Sequence, residues 1–399
     1  MGMVIIGAGK AGARCIIGLR EHGYEGQVTL VSEEALHFYD RPPLSKSALV
    51  IEPEEVPALI IDAEVLASLK VEAVRGTASW IETGARLVHH TGGAPIPYDK
   101  LLIATGAVPR RLPDAPHALL LRTLDDSRKL RAAFTPGRSV AIIGGGFIGL
   151  ELASSAAKRG CTVTVIEAQA RILMRGVTEA VADVVAKRHA AAGVAVITSA
   201  EIASYSPTSV TLKDGRVIAS DILIAGIGAD PSTDPASGSY LHLDNGIACD
   251  ARLLTSDPHV FAAGDCCSFP HALFGDRRIR LEAWRAAQDM GAVAAENMLG
   301  GSKTYDAVPW FWSDQYDLSL QIAGMPGDGV AMVTRPLKDG AFVEFHLDAD
   351  GRLVGASGIG TGNTVGRDIR LAEMLIAKRS HPDPAQLADP AVLLKALLK

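Results

Sequence analysis

Little in this sequence of 399 residues suits a membrane, an export route or a nucleic acid. No run of about 18 apolar residues survives without a charge or a turn signal, which argues against a transmembrane helix. The first twenty residues are apolar, but they lack a positively charged start and a glycine-rich turn interrupts them, so they are not read as a secretory leader. Gly2 follows the first methionine, yet Ile6 stands where N-myristoylation needs Ser or Thr. Cysteine is scarce. Cys15, Cys161, Cys249, Cys266 and Cys267 are odd in number and have no CxxC spacing, which points to free thiols in a reducing, cytoplasmic compartment. A net charge of −6 excludes any overall attraction for nucleic acid or anionic lipid. Aromatic residues make up only 5%, against 40 glycines, a balance that leans toward an α/β protein rich in tight turns.

What is present is a repeat. Met3–Ile6 is an apolar run followed by Gly7-Ala-Gly9-Lys-Ala-Gly12, a helical stretch to His22 and a second run, Gln27–Val31. Val140–Ile143 is followed in the same way by Gly144-Gly-Gly146-Phe-Ile-Gly149, a helical stretch to Arg159 and the run Thr162–Ile166. Each reads as strand, glycine turn, helix, strand, the opening of a dinucleotide-binding domain. One GxGxxG is a weak signal, because six positions fix only three residues. Here both motifs follow an apolar strand and open a helix, the context in which the glycines have separate jobs. The first permits the turn, the second lets backbone approach a pyrophosphate and the third lets helix pack on strand, while the helix N-terminus favours the phosphate charge.

An acid closes each repeat near the expected offset: Glu33, with Glu34 beside it, and Glu167. A carboxylate there accepts hydrogen bonds from adenosine ribose hydroxyls and repels a 2′-phosphate, so Glu167 favours NADH over NADPH. Further β-rich runs continue the halves at Leu101–Ala104, Val194–Ile197, Asp221–Ala225 and Val260–Ala263, with small antiparallel strands expected within Ala78–Tyr98. After Tyr305 the pattern changes to alternating strands around Ser319–Ala323, Val330–Thr334, Phe342–Leu347 and Leu353–Ser357, and then a helix over Thr364–Ala377. The fold class read from this is α/β: two Rossmann-type domains and a C-terminal α+β domain. Residues 1–107 and 230–305 would form the first, residues 108–229 the second, and residues 306–399 the third.

Four runs make the sequence recognisable: Tyr39-Asp-Arg41-Pro-Pro-Leu-Ser-Lys46, Leu102-Ile-Ala-Thr105-Gly106, Phe261-Ala-Ala-Gly264-Asp265 and Pro309-Trp-Phe-Trp312-Ser-Asp-Gln315. The chain resembles, over nearly its whole length, the FAD-dependent ferredoxin reductases of bacterial ring-hydroxylating oxygenases and cytochrome P450 systems, which share the glutathione-reductase-like fold. The second and third runs occur in many flavoproteins with two dinucleotides; the first and last are specific.

The resemblance implies that the first domain binds FAD and the second NADH. Gly7, Gly9, Ala11 and Gly12 would face the FAD pyrophosphate, and Glu33 and Glu34 the ribose side. Arg41, Lys46 and Arg122 would contact FAD, with Lys46 close to the flavin ring. Thr105 and Gly106 would belong to the segment crossing between domains. Asp265, after Gly264, would bond the ribityl chain, and Trp284 would sit at the flavin by its backbone. Gly144, Gly146, Ile148, Gly149, Glu167 and Gly228 would bind NADH, and Trp312 would lie over the redox face.

Three residues are the candidates for chemistry: Lys46, Glu151 and Trp312. Hydride passes from the nicotinamide to flavin N5, and a lysine near N5 would stabilise the anionic reduced ring, with Glu151 pairing to fix it. Disulfide reductases of this fold relay electrons through cysteine, but Tyr39–Lys46 contains none, and Cys266 and Cys267 are read as inert because adjacent cysteines rarely bridge without strain. Electrons would therefore leave singly for a [2Fe-2S] ferredoxin, since the chain has no cluster-type cysteine spacing of its own. Arg277, Arg278, Arg280 and Lys303 are candidates for docking an acidic partner. Rubredoxin reductase, NADH oxidase, and a redox sensor like apoptosis-inducing factor are the alternatives. Monomer and weak homodimer are both expected states.

Overall fold

A computed structural model of the chain describes residues 2–34 and 38–398. The chain divides into two compact units, one made of Met1–Asp40, Pro57–Val108 and Asp230–Pro309, the other of Arg41–Val56, Pro109–Ala229 and Trp310–Lys399.

The first unit is built on a sheet whose parallel strands run in the order Val71–Arg75, Val28–Ser32, Gly2–Ile6, Ile96–Ile103 and Val260–Ala262. Central strands covered on both faces are apolar throughout, as Val4, Ile5 and Ile6 are here. Ile96–Ile103 serves two purposes. Its first residues pair antiparallel with Leu87–His90, which pairs in turn with Ala78–Glu82, and its last residues enter the parallel core. The sequence reading placed separate strands there; one strand of eight residues does both. Helix Lys10–Glu21 lies against helix Trp284–Met298 with small residues at the crossing. A Cβ on Gly291 would stand 2.3 Å from the Ala11 carbonyl oxygen, and one on Gly18 would stand 2.8 Å from the Ala295 methyl.

The second unit repeats the plan. Ala195–Ile197, Thr162–Ile166, Ser139–Ile143 and Ile222–Ala225 form a parallel sheet in that order, beside a three-stranded antiparallel sheet over Ile202–Ala219. Its third layer is a five-stranded antiparallel sheet ordered Trp310–Gln315, Leu318–Gly324, Leu353–Thr361, Phe342–Leu347, Ala331–Pro336. Helix Gly366–Ala377 covers it with Ile369, Ala372, Leu375 and Ile376, an apolar stripe at helical spacing.

The segment Arg41–Val56 also belongs to this unit. It forms a 3-10 turn, Pro42–Ser45, and a short helix, Ser47–Val50. Glu52 anchors it, with Arg131 and Arg159 each 2.6 Å from its carboxylate, while Arg131 also donates to the carbonyls of Ala48 and Ile51. Among the described residues, no helix is long and apolar enough to cross a membrane.

Candidate functional site

The two glycine turns have nearly the same geometry. Gly7 has φ 110° and Gly144 has φ 105°, a region that a side chain rarely adopts, and added Cβ atoms there would meet the Ala104 and Gly226 carbonyl oxygens at 2.3 and 2.4 Å. Gly12 and Gly149 let each helix pack on its own turn: a Cβ would stand 2.1 Å from the Gly7 oxygen and 2.2 Å from the Gly144 oxygen. The middle glycines differ. Gly9 and Gly146 have ordinary extended backbone (φ −81° and −82°), and a Cβ on either would meet nothing within 4 Å. Neither the dihedrals nor the packing of the protein requires glycine at these two positions. Open space beside an uncapped helix N-terminus, with no acid in the first turn of either helix, is what a pyrophosphate needs. The residues fit a dinucleotide at both turns.

The other cofactor candidates lie as follows. Ala11 is buried, and its Cβ lies against the position that a Cβ would take on Gly264. Glu33 is exposed and accepts from the Thr77 hydroxyl at 3.5 Å, whereas Glu34 accepts from the phenol of Tyr39. Thr105 donates to the Ser232 carbonyl at 2.6 Å, and Gly106 accepts from Ser232 N–H. Gly264 has φ 84°, and the carbonyl of half-buried Asp265 accepts from Arg280. Trp284 opens its helix, donates from Nε1 to Asp40 at 2.7 Å and carries the Lys10 ammonium 3.9 Å above its ring. Lys10 and Asp40, themselves 3.3 Å apart, escaped the sequence reading because single charged residues near a turn carry no signal.

In the second unit, Arg41 donates to the Arg122 carbonyl at 2.6 Å, and Arg122 N–H donates to Asp126, whose carboxylate completes a capping box with Thr123. Glu167 reads its own turn: one carboxylate oxygen accepts Gly145 N–H and the other Gln169 N–H, both at 2.7 Å. Ile148 is 47% exposed, an apolar side chain at the open mouth of the turn. Gly228 has φ 103°, and its carbonyl accepts from Arg110 N–H.

Lys46, Glu151 and Trp312 come together. The Lys46 ammonium lies 3.0 Å from Glu151 Oε1 and 5.8 Å from the Trp312 ring centroid, and Trp312 stacks on Trp310 with centroids 5.1 Å apart. Glu151 is buried and receives two hydroxyls, Ser45 at 2.5 Å and Ser313 at 2.6 Å. A buried carboxylate is tolerable only when its lone pairs are so engaged.

All five cysteines are free. Burial pushes the Cys15 thiol up to about 12 and Cys266 to about 11, and contact with Cys249 raises Cys267. Thiols held in this way are inert near neutral pH. Of the basic residues considered for docking, Arg278 is committed to the carbonyls of Cys249 and Ser268, and Arg280 pairs with Glu282 at 2.6 Å. Lys303 lies 3.4 Å from Glu296.

Residues 1–291 match the family described as pyridine nucleotide-disulphide oxidoreductase, and residues 310–398 match the domain described as reductase C-terminal. The chain belongs to the pyridine nucleotide-disulphide oxidoreductase family. Within that family it is 39% identical, over 99% of its length and 98% of the relative's, to the ferredoxin–NAD(+) reductase component of the anthranilate 1,2-dioxygenase system of Burkholderia cepacia. It is 35% identical to the corresponding component of the p-cumate 2,3-dioxygenase system of Pseudomonas putida, over 98% and 97% of the two chains. Among solved structures of this oxidoreductase fold, the reductase of the covalent putidaredoxin reductase–putidaredoxin complex matches with a TM-score of 0.93 and 30% identity, covering 100% of this chain and 98% of that one.

Proposed function

We propose that this oxidoreductase is the NADH-dependent ferredoxin reductase of an aromatic-ring oxygenase or cytochrome P450 system, acting in the cytoplasm. It holds FAD at the Gly7–Gly12 turn, through residues 1–107 and 230–305, and NADH at the Gly144–Gly149 turn, through residues 108–229. The acceptor we propose is a [2Fe-2S] ferredoxin; a ferredoxin-type acceptor is supported by two relatives that are ferredoxin–NAD(+) reductase components and by one solved in complex with putidaredoxin. Bound FAD supplies the conversion between a two-electron nicotinamide donor and a one-electron acceptor.

The protein's own groups do the rest. The paired glycines bring backbone N–H groups to the two pyrophosphates, and the carboxylates of Glu33 and Glu167 select the ribose. Lys46 would supply positive charge to a flavin that gains negative charge on reduction, and Glu151 with its two serines would keep that charge in position. Trp312, whose ring centroid lies 5.8 Å from the Lys46 ammonium, would limit access of water to that charge.

The observation that carries the reading is the combination of Lys46, Glu151 and Trp312 in one cluster with five free thiols, four of them buried. The Cys249 and Cys267 thiols touch, but both are buried and Cys267 is held protonated, so they offer no relay for electrons. The test is an anaerobic titration of FAD-loaded protein with NADH, followed by cytochrome c reduction with and without a purified [2Fe-2S] ferredoxin. Bleaching of the flavin band and ferredoxin-dependent turnover are expected. A protein that takes up no FAD, or reduces cytochrome c equally well without ferredoxin, refutes the proposal.

A further inference from the structure

Behind the Lys46–Glu151 pair, a line of buried side chains runs to the helix Glu179–Ala191. Ser313 donates to Glu151 Oε1 at 2.6 Å, Gln315 Nε2 donates to the Ser313 oxygen at 3.2 Å, and Gln315 Oε1 faces His189 Nε2 at 2.8 Å. His189 Nδ1 faces the Tyr316 hydroxyl at 3.4 Å, and the two rings meet edge to face. Glu151, Ser313, Gln315 and His189 are all buried.

The chemistry of the groups fixes the direction of every bond. A carboxylate has only lone pairs, so the Ser313 hydrogen must point at Glu151. The Ser313 oxygen is then left to accept, so the Gln315 amide nitrogen must face it. That leaves the amide oxygen facing His189. An oxygen cannot donate, so His189 Nε2 must carry the hydrogen and Nδ1 must accept from Tyr316. Burial lowers the affinity of His189 for a second proton and outweighs the opposite effect of the bond to Gln315, and nearby Arg188 acts with burial. A reversal at any member would set donor against donor or lone pair against lone pair in a buried interior.

We propose that His189, held as its neutral Nε2–H tautomer, is a positioning residue that orients Gln315 and Ser313 and so fixes the carboxylate that holds Lys46. Its consequence for redox chemistry rests on the reading of Lys46 as the residue beside the flavin ring. If Ser313 turns away, Glu151 loses a donor, its negative charge is less compensated, and less of the Lys46 charge is available to stabilise reduced flavin.

Two measurements on the FAD-loaded protein test this. Histidine labelled with ¹⁵N should show at neutral pH several rings with protonated Nε2 and bare Nδ1, His90 and His271 among them, and one such signal should vanish in His189→Gln. The flavin midpoint potential should become more negative in His189→Leu and Gln315→Leu, and reduction by NADH should slow about tenfold at unchanged KM, the scale of a small misplacement. His189→Gln, whose amide can donate at the same reach, should restore both. If the leucine variants do not fold, Ser313→Ala against Ser313→Thr makes the same comparison. An Nδ1–H tautomer, or a glutamine variant no closer to wild type than leucine, overturns the inference. The tautomer is read without reference to flavin chemistry, so a wrong reading of Lys46 would leave the tautomer intact and abolish only the shift in potential.

Discussion

Lys46 and Glu151 form an ion pair at 3.0 Å in which the lysine is 22% exposed and the glutamate 3%. The partners are unequal: water can still reach the ammonium, while the carboxylate depends on protein donors alone. Lys46→Ala should therefore leave a buried charge held, among the described residues, by Ser45 and Ser313, costing somewhat less than the roughly 3–5 kcal/mol of breaking a fully buried pair. The larger effect should be kinetic. Stopped-flow reduction of the flavin by NADH is expected to slow by about tenfold or more with FAD retained. Wild-type rates in that variant would remove Lys46 from the mechanism.

Gly9 and Gly146 offer a sharper test of the two cradles than the other glycines do. Substituting Gly12 or Gly149 would drive a Cβ into a carbonyl oxygen at 2.1 or 2.2 Å and damage the fold directly. A Cβ on Gly9 or Gly146 meets nothing within 4 Å, so Gly9→Ala and Gly146→Ala should keep the unfolding free energy of the unloaded protein, read by urea titration, within about 0.5 kcal/mol of wild type. Gly9→Ala should weaken FAD retention with NADH affinity spared, and Gly146→Ala should do the reverse, as read by flavin fluorescence and NADH titration. Equal loss of both ligands in either variant would contradict one dinucleotide per turn.

Glu167 has two tasks that can be separated. Its carboxylate accepts Gly145 N–H and Gln169 N–H, so it shapes the turn as well as presenting negative charge toward a ribose. Glu167→Arg should lower kcat/KM for NADH relative to NADPH by at least about tenfold, a difference of about 1.4 kcal/mol. Glu167→Gln removes the charge and keeps one acceptor oxygen of the two, so it should shift the ratio less while giving up one of the two backbone N–H contacts. An unchanged ratio in both variants would show that this residue does not read the nucleotide.

Much of this architecture is legible without coordinates because its steric reasons are local. Gly7 and Gly144 have a positive φ that side chains rarely adopt, Gly12 and Gly149 sit where a Cβ would collide within their own turn, and the flanking apolar runs identify the strands. What was not legible depends on distant partners. Ser313 gains meaning only because the fold brings it to a glutamate 162 positions away, and a serine, a glutamine or a histidine in a strand or helix carries no pattern of its own. The attachment of residues 41–56 to the second unit likewise rests on Glu52 reaching Arg159, 107 positions away. Glu34 looked equivalent to Glu33 in sequence, yet its carboxylate is engaged by Tyr39.

The C-terminal sheet contains one more group whose state should govern stability. His346, on strand Phe342–Leu347, is 5% exposed, and its Nε2 has no partner among the described residues. Burial alone lowers its pKa from 6.5 to about 4. The unfolded chain therefore binds a proton more readily than the folded one below pH 6.5. Stability from this residue is fully present above pH 6.5, falls as the pH drops toward 4, and levels off below, a loss of roughly 3 kcal/mol. His189 and His271 are also depressed by burial and act in the same direction, so wild type alone cannot isolate the effect. The comparison with His346→Leu can. Urea midpoints of the FAD-loaded protein at pH 7 and pH 5 should fall less in the variant than in wild type. Equal falls would mean that the His346 ring accepts its proton in the folded state without cost, and that burial does not hold it neutral.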